Sequence, residues 1–177
     1  MESLFKRYKF FIITVIAVGT VTIFNTNLGI KSFSIAVYSF KEMALVIPPV
    51  FVLLGLLDIW VPRKTMMKYM GEESGVKGII LSIIIGSAAA GPLYGAFPVA
   101  AVFMKKGVKF SNILIFIGAW STTKIPMFLF EVSALGSRFA VTRLLIDIPG
   151  IIIIAYLLSA FISKDEISKI YKNAENL

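Results

Sequence analysis

The side chains able to do chemistry in this sequence are few, and four of them stand in a row: Ser121, Thr122, Thr123 and Lys124. A lysine is a compact cation with three donors. Beside hydroxyls it can hold an anionic solute or titrate during a transport cycle. Ser121 and Lys124 also have the spacing of a serine–lysine hydrolase pair. No Ser-Asp-Asn or Lys-Thr-Gly motif accompanies them, so the match is weak and no enzyme is expected. Histidine and cysteine are both absent. Their absence excludes disulfides, thiolate chemistry, the common soft-metal ligands and any histidine base or proton relay. No metal site or cofactor is expected. A Gly-x-x-x-x-Gly-Lys-Ser/Thr loop is also missing, so the chain has no ATP site of that type.

Lys124 falls inside an apolar run, Asn112 to Glu131. A charge at membrane depth costs several kcal/mol unless it is paired or hydrated. Asp147 is the preferred partner; Glu131, two helical turns further on, shares its face but lies far off. Asp58 is the other acid near an apolar run. The pair could serve transport, or be a structural ion pair, or give way to a snorkelling lysine. The three hydroxyls could bind solute or ions, or bond to the helix backbone left open by Pro126.

A second irregular stretch lies upstream, Gly86 to Pro98, inside the apolar run Ile79 to Met104. Gly91, Pro92, Gly95 and Pro98 all disfavour an uninterrupted helix there. Tyr94 offers a ring and a hydroxyl beside flexible backbone, suited to a gate, a ligand contact or plain packing. Backbone groups freed at membrane depth must be satisfied by protein or by water in a cavity. Two consecutive broken segments are the sequence pointer to a transporter site. The plainer alternative is a pair of proline kinks with small-residue helix packing. On the transport reading, Gly91 to Pro98 and Ser121 to Pro126 come close in space and bind or gate the solute.

The elements that must position these residues are membrane helices. Of 177 residues 58% are hydrophobic and only 16% charged, with a mean hydropathy of +0.87. A soluble domain carries about a quarter charged residues. The chain is therefore an all-α integral membrane protein, residues 1–177 forming one polytopic domain. About five spans are expected, two of them interrupted and either crossing or re-entrant. They are Phe10 to Phe24, Met43 to Val61 with Pro48-Pro49 kinking it or delaying its start, Ile79 to Met104, Asn112 to Glu131, and Phe139 to Ile162 with a kink at Pro149-Gly150. Asn25 to Lys31 reads as a polar turn and Phe33 to Phe40 as a short interfacial segment. Ser111 is placed to cap the fourth span. Ser163-Lys164-Asp165-Glu166 reads as a capping box opening a short amphipathic tail, 163–177.

The net charge of +8 comes from lysines and arginines between apolar runs, where they meet lipid headgroups rather than nucleic acid. Sorted by side for five spans, Lys6, Arg7, Lys9, Arg63, Lys64, Lys68, Lys77, Arg138 and Arg143 make nine. Lys31, Lys41, Lys105, Lys106, Lys109, Lys164, Lys169 and Lys172 make eight. Basic asymmetry normally fixes orientation, and here it is nearly absent. That balance permits insertion both ways and an antiparallel homodimer.

With Gly91-Pro92-Leu93-Tyr94-Gly95-Ala96-Phe97-Pro98, Lys105-Lys106-Gly107 and Gly118-Ala119-Trp120-Ser121-Thr122-Thr123-Lys124-Ile125-Pro126, the chain resembles the predicted permeases related to the ArsP organoarsenical exporters. The likeness runs over roughly Leu53 to Leu158 and is nearest to half-length members. Longer relatives look like two such units in one chain, which implies dimerisation here. The arsenic exporters carry cysteines near the corresponding break, where this chain has Tyr94, Gly95 and Ala96. Thiolate binding of arsenic is therefore not implied. The expected function is a multi-pass permease of the inner cell membrane, a secondary transporter of a small solute. The alternative is a non-catalytic membrane subunit, such as the substrate-binding component of a larger importer.

Overall fold

The computed structural model describes residues 2–89 and 91–175, and every regular element among them is helical. Two units are distinguishable, Met1–Pro48 and Pro49–Leu177. The first holds α1 (Glu2–Phe24) and the opening of α2 (Thr26–Trp60). Asn25 makes the turn between them: its Oδ1 accepts from Leu28 N at 3.1 Å, the side-chain cap that an asparagine supplies at a helix start. The thirty-five residues of α2 absorb both the expected interfacial segment Phe33–Phe40 and Pro48-Pro49. The helix begins at Thr26, well before the prolines, so neither a separate interfacial piece nor a start delayed to the prolines occurs. Large apolar side chains of this unit stand exposed, Phe10 at 80% and Phe24 at 86% among them.

The second unit carries the site. After α2 come α3 (Arg63–Met70), a 3-10 turn over Glu72–Ser74 and α4 (Gly75–Ala88). Helix then stops. A second 3-10 turn, Leu93–Gly95, leads into α5 (Ala96–Lys105). Next are α6 (Phe110–Thr122), α7 (Ile125–Leu135), α8 (Ser137–Phe161) and α9 (Lys164–Glu175). α6 is central: α4, α5 and α8 all pack on it, α7 packs on α8, and α9 covers α5. The core between α3, α5 and α6 holds Met70, Phe103, Val108, Ile113 and Phe116, all essentially inaccessible. Phe103 and Phe116 meet with ring centroids 4.9 Å apart, and Trp120 stands edge-on to Phe116 at 5.6 Å. Such tilted and edge-to-face arrangements suit the ring quadrupoles.

Small residues set the closest approach. A Cβ on Gly86 of α4 would lie 2.6 Å from Phe116 O and 2.8 Å from Ala119 Cβ of α6. Only glycine lets those two backbones touch, as in small-residue packing between membrane helices.

Two stretches among the described residues are long and apolar enough to cross a membrane: Phe110–Leu135, which contains the break between α6 and α7, and Ser137–Phe161. Tyr8–Phe24 and Leu93–Lys105 are apolar but shorter. Pro149 sits inside α8, which runs through it as helix. At α9 the capping box forms: Ser163 N donates to Glu166 Oε2 at 3.1 Å, and Glu166 N donates to Ser163 Oγ at 3.3 Å. The Ser163 side chain, then its backbone N–H, hold the Glu166 carboxyl below its ordinary value of 4.5.

Candidate functional site at the paired helix breaks

The two irregular stretches meet. Gly91 lies just past α4 with φ +100°, a conformation that side chains of L-residues rarely adopt. Its carbonyl points at the second break. Lys124 Nζ donates to Gly91 O, and Trp120 Nε1 donates to the same oxygen at 3.4 Å. A third link joins the breaks: the hydroxyls of Ser87 and Thr123 lie 2.7 Å apart. A carbonyl freed by one break is thus satisfied by a cation and an indole from the other.

The second break is local in origin. Pro126 has no N–H and sits in the first turn of α7, where proline is tolerated. Lys124 is extended, φ −57° and ψ 135°, the non-helical conformation of the cap position before α7 and incompatible with continuing α6. Thr122 Oγ1 bonds back to Gly118 O at 3.0 Å and Thr123 Oγ1 to Ala119 O at 3.1 Å. These two hydroxyls therefore serve the last turn of α6, the backbone role left open for them by the sequence. Ser121 is exposed, and so is Pro126.

In the first break, Pro92 and Pro98 are partly buried, Gly95 is buried, and Tyr94 is 37% exposed. Pro92 and Pro98 flank the 3-10 turn and the start of α5, so their missing N–H groups interrupt no established helix.

The carboxylates distribute otherwise than the sequence led us to expect. Asp147 and Glu131 both turn to Arg143, not to Lys124. Arg143 Nη1 contacts both Glu131 oxygens, at 2.6 and 2.7 Å. Its Nη2 donates to Thr122 O at 2.7 Å and lies 3.3 Å from Asp147 Oδ2. That Asp147 oxygen is buried and accepts no well-aligned hydrogen bond. Arg143 therefore joins the end of α6, the middle of α7 and the next turn of its own helix. Its planar fork is suited to such multiple bonding, as a lysine is not. Glu131 needs this partner, because it is only 6% exposed.

By sequence Arg143 counts with the loop charges, because it lies near the start of an apolar run. The signals that it belongs inside were its place beyond the first turn of the fifth span and its i,i+4 spacing to Asp147. Ser87 and Trp120 carried no such signal. The side chain of Asp58 lies outside the described residues. Among the described residues, no cluster of three acids, histidines or cysteines could hold a metal ion.

The fold defines a class: a helical integral membrane protein, with Lys124 and Trp120 converging on the Gly91 carbonyl between α4 and α5. The chain belongs to the predicted permease family, whose model matches residues 30–177. It is accordingly a membrane permease. No curated protein and no solved structure matches it.

Proposed function

We propose that this permease is a secondary transporter of a small solute and that the paired breaks are its substrate-binding and gating site. The observation that carries the reading is the convergence of Lys124 and Trp120 on Gly91 O. Unwound backbone carbonyls are what interrupted helices present to coupling ions, and a lysine cation is suited to an anionic solute. In this state they satisfy one another. A solute with an anionic group can draw Lys124 away from Gly91, freeing that carbonyl and loosening α5 from the α6–α7 junction. Tyr94, Gly95, Pro92 and Pro98 then form the movable side of the site. Ser121, Thr122, Thr123 and Pro126 form the side fixed to α6 and α7. The protein acts as a multi-pass, inverted homodimer in the inner cell membrane, surrounded by lipid, with about five spans per copy.

Reconstitution of the purified protein in liposomes tests this. Small solutes are added in turn while currents or labelled uptake are followed. At least one should be moved without an added ATPase. Lys124→Met should abolish that movement while leaving insertion and the elution profile in detergent intact. Full transport by the Lys124→Met protein would reduce Lys124 to a structural bolt. Transport that appears only with an ATPase partner would make the chain a non-catalytic subunit of a larger importer.

A further inference from the structure

At the opposite end of α6 from the breaks lies a cleft of about 720 Å³, bounded by the start of α6, the last turns of α8 and α9. With thirteen residues in α6, about 20 Å of helix separates it from Lys124. The sequence suggests Ser111 as the N-cap here. In the structure α6 starts one residue before Ser111, because Lys109 N donates to Met70 O at 2.9 Å and Lys109 itself takes the cap position. Lysine has no acceptor to offer, and no side chain caps this end.

Ser111 is left inside the first turn, 1% exposed, with its Oγ making no hydrogen bond. It lines the cleft. A buried hydroxyl without a partner is costly and rare. The first-turn N–H groups of Phe110, Ser111 and Asn112 have no carbonyl within the helix to reach. The helix dipole adds partial positive charge at the same place.

The surrounding charges fit an anion. Lys109 and Lys164 line the cleft, and so does Glu72, which Lys109 holds at 3.3 Å. One cation therefore remains after that pairing. Tyr171 closes the floor by donating to Val108 O at 2.6 Å. The rest of the wall is mixed: Tyr156 and Ser159 of α8, the latter's hydroxyl donating to Ala155 O, and the apolar Ile162 and Ile167 of the α8–α9 corner.

We propose that this cleft is a binding site for a phosphate group, held by Ser111 Oγ, the uncapped N-terminus of α6 and Lys164. The phosphate could belong to a lipid headgroup or be free in solution; the recognition chemistry is the same.

The test uses the intact protein in detergent and its Ser111→Ala variant. One arm measures adducts with dioleoylphosphatidylglycerol by native mass spectrometry, with dioleoylglycerol, which lacks phosphate, as control. The other measures thermal stabilisation by sodium phosphate against sodium chloride at equal ionic strength. At least one phosphate-bearing probe should bind the native protein, and Ser111→Ala should weaken it about fivefold or more. Binding of the lipid alone assigns a headgroup; binding of inorganic phosphate assigns a soluble ligand. Ligand-free Ser111→Ala should melt no lower than the native protein, since it removes an unsatisfied group. Lys164→Gln should weaken the same probe. The proposal is overturned if neither phosphate-bearing probe binds, if binding ignores Ser111, if dioleoylglycerol binds as well as the phospholipid, or if Ser111→Ala lowers the ligand-free melting temperature.

Discussion

Arg143 ties three parts of the second unit together. It bonds the buried Glu131, the terminal carbonyl Thr122 O and, more loosely, Asp147. Removing one partner of a buried pair strands the other charge, which costs about 3–5 kcal/mol. Arg143→Met is therefore expected to destabilise the protein by about 3 kcal/mol or more. Glu131→Met combined with it should recover much of the loss, because two apolar side chains leave no stranded charge. Thermal unfolding of the single and double variants in detergent checks this. A double variant no more stable than Arg143→Met would mean that Arg143 works mainly through Thr122 O. Lys124 differs in kind. Its partner is an uncharged carbonyl, so its removal should cost less stability than Arg143's while costing transport.

At the scale of elements, α9 is docked by few groups: the buried Ala174, the half-buried Ile167, Ile170 and Tyr171, and the Tyr171–Val108 hydrogen bond. Burial first, and then the negative charge of Glu72, push the Tyr171 phenol from 10.0 up to about 12. A raised value means that the folded state holds the proton more tightly than the unfolded chain does. The stabilisation from this phenol is thus complete below pH 10 and is lost as the pH rises from 10 towards 12. Tyr171→Phe should lower stability by about 1 kcal/mol at neutral pH, the value of one hydrogen bond. Melting curves followed by circular dichroism from pH 9 to pH 12 should show the native protein and Tyr171→Phe converging. A difference that stays constant across that window would show that the phenol does not titrate with the docking of α9. The short helix itself starts where its capping box starts it, which is a local effect independent of docking.

At the scale of the whole molecule, much apolar surface is not covered by the chain's own atoms: Phe10, Phe24, Phe40, Phe130 and Phe161 are all at least 67% exposed. Lipid and a second copy are what can cover it. Because Arg143 is half-buried within α8 rather than at a loop, the basic residues sorted by side for five spans become eight against eight. That sequence-based sorting, which counts Lys31 and Lys41 of α2 with the loops, gives no net bias to choose an orientation. We expect an antiparallel homodimer with the breaks of both copies near its centre, the arrangement that inverted repeats achieve within one longer chain. Reporters fused to the C-terminus should be active on both sides of the membrane. Adding two or three lysines to one side should lock the orientation and reduce transport. Co-expression of oppositely locked variants should restore it. Signal on one side only, together with full activity, would instead describe a parallel or monomeric protein.

The sequence by itself determined what depends on neighbouring residues and on solvent. Composition made the chain a helical membrane protein, because so few charged groups leave only lipid as a medium for so much apolar surface. Gly91, Pro92 and likewise Pro126 placed the breaks, because glycine freedom and the clash of a proline ring with the turn before it act within one turn. Ser163 and Glu166 placed the start of α9 for the same reason. Tertiary structure decided the pairings. Whether Lys124 reaches Asp147 or Gly91 O depends on how α4, α6 and α8 are rotated and how closely they approach. Gly86 and Gly118 set that approach, a Cβ on Gly118 falling 2.8 Å from Ile151 of α8. The same holds at Ser111. Its type marks it as a cap, but the bond from Lys109 N to Met70 O fixed the start of α6 one residue earlier and left its hydroxyl unpartnered. Sequence spacing determines which groups share a turn, while contacts between helices decide which groups share a bond.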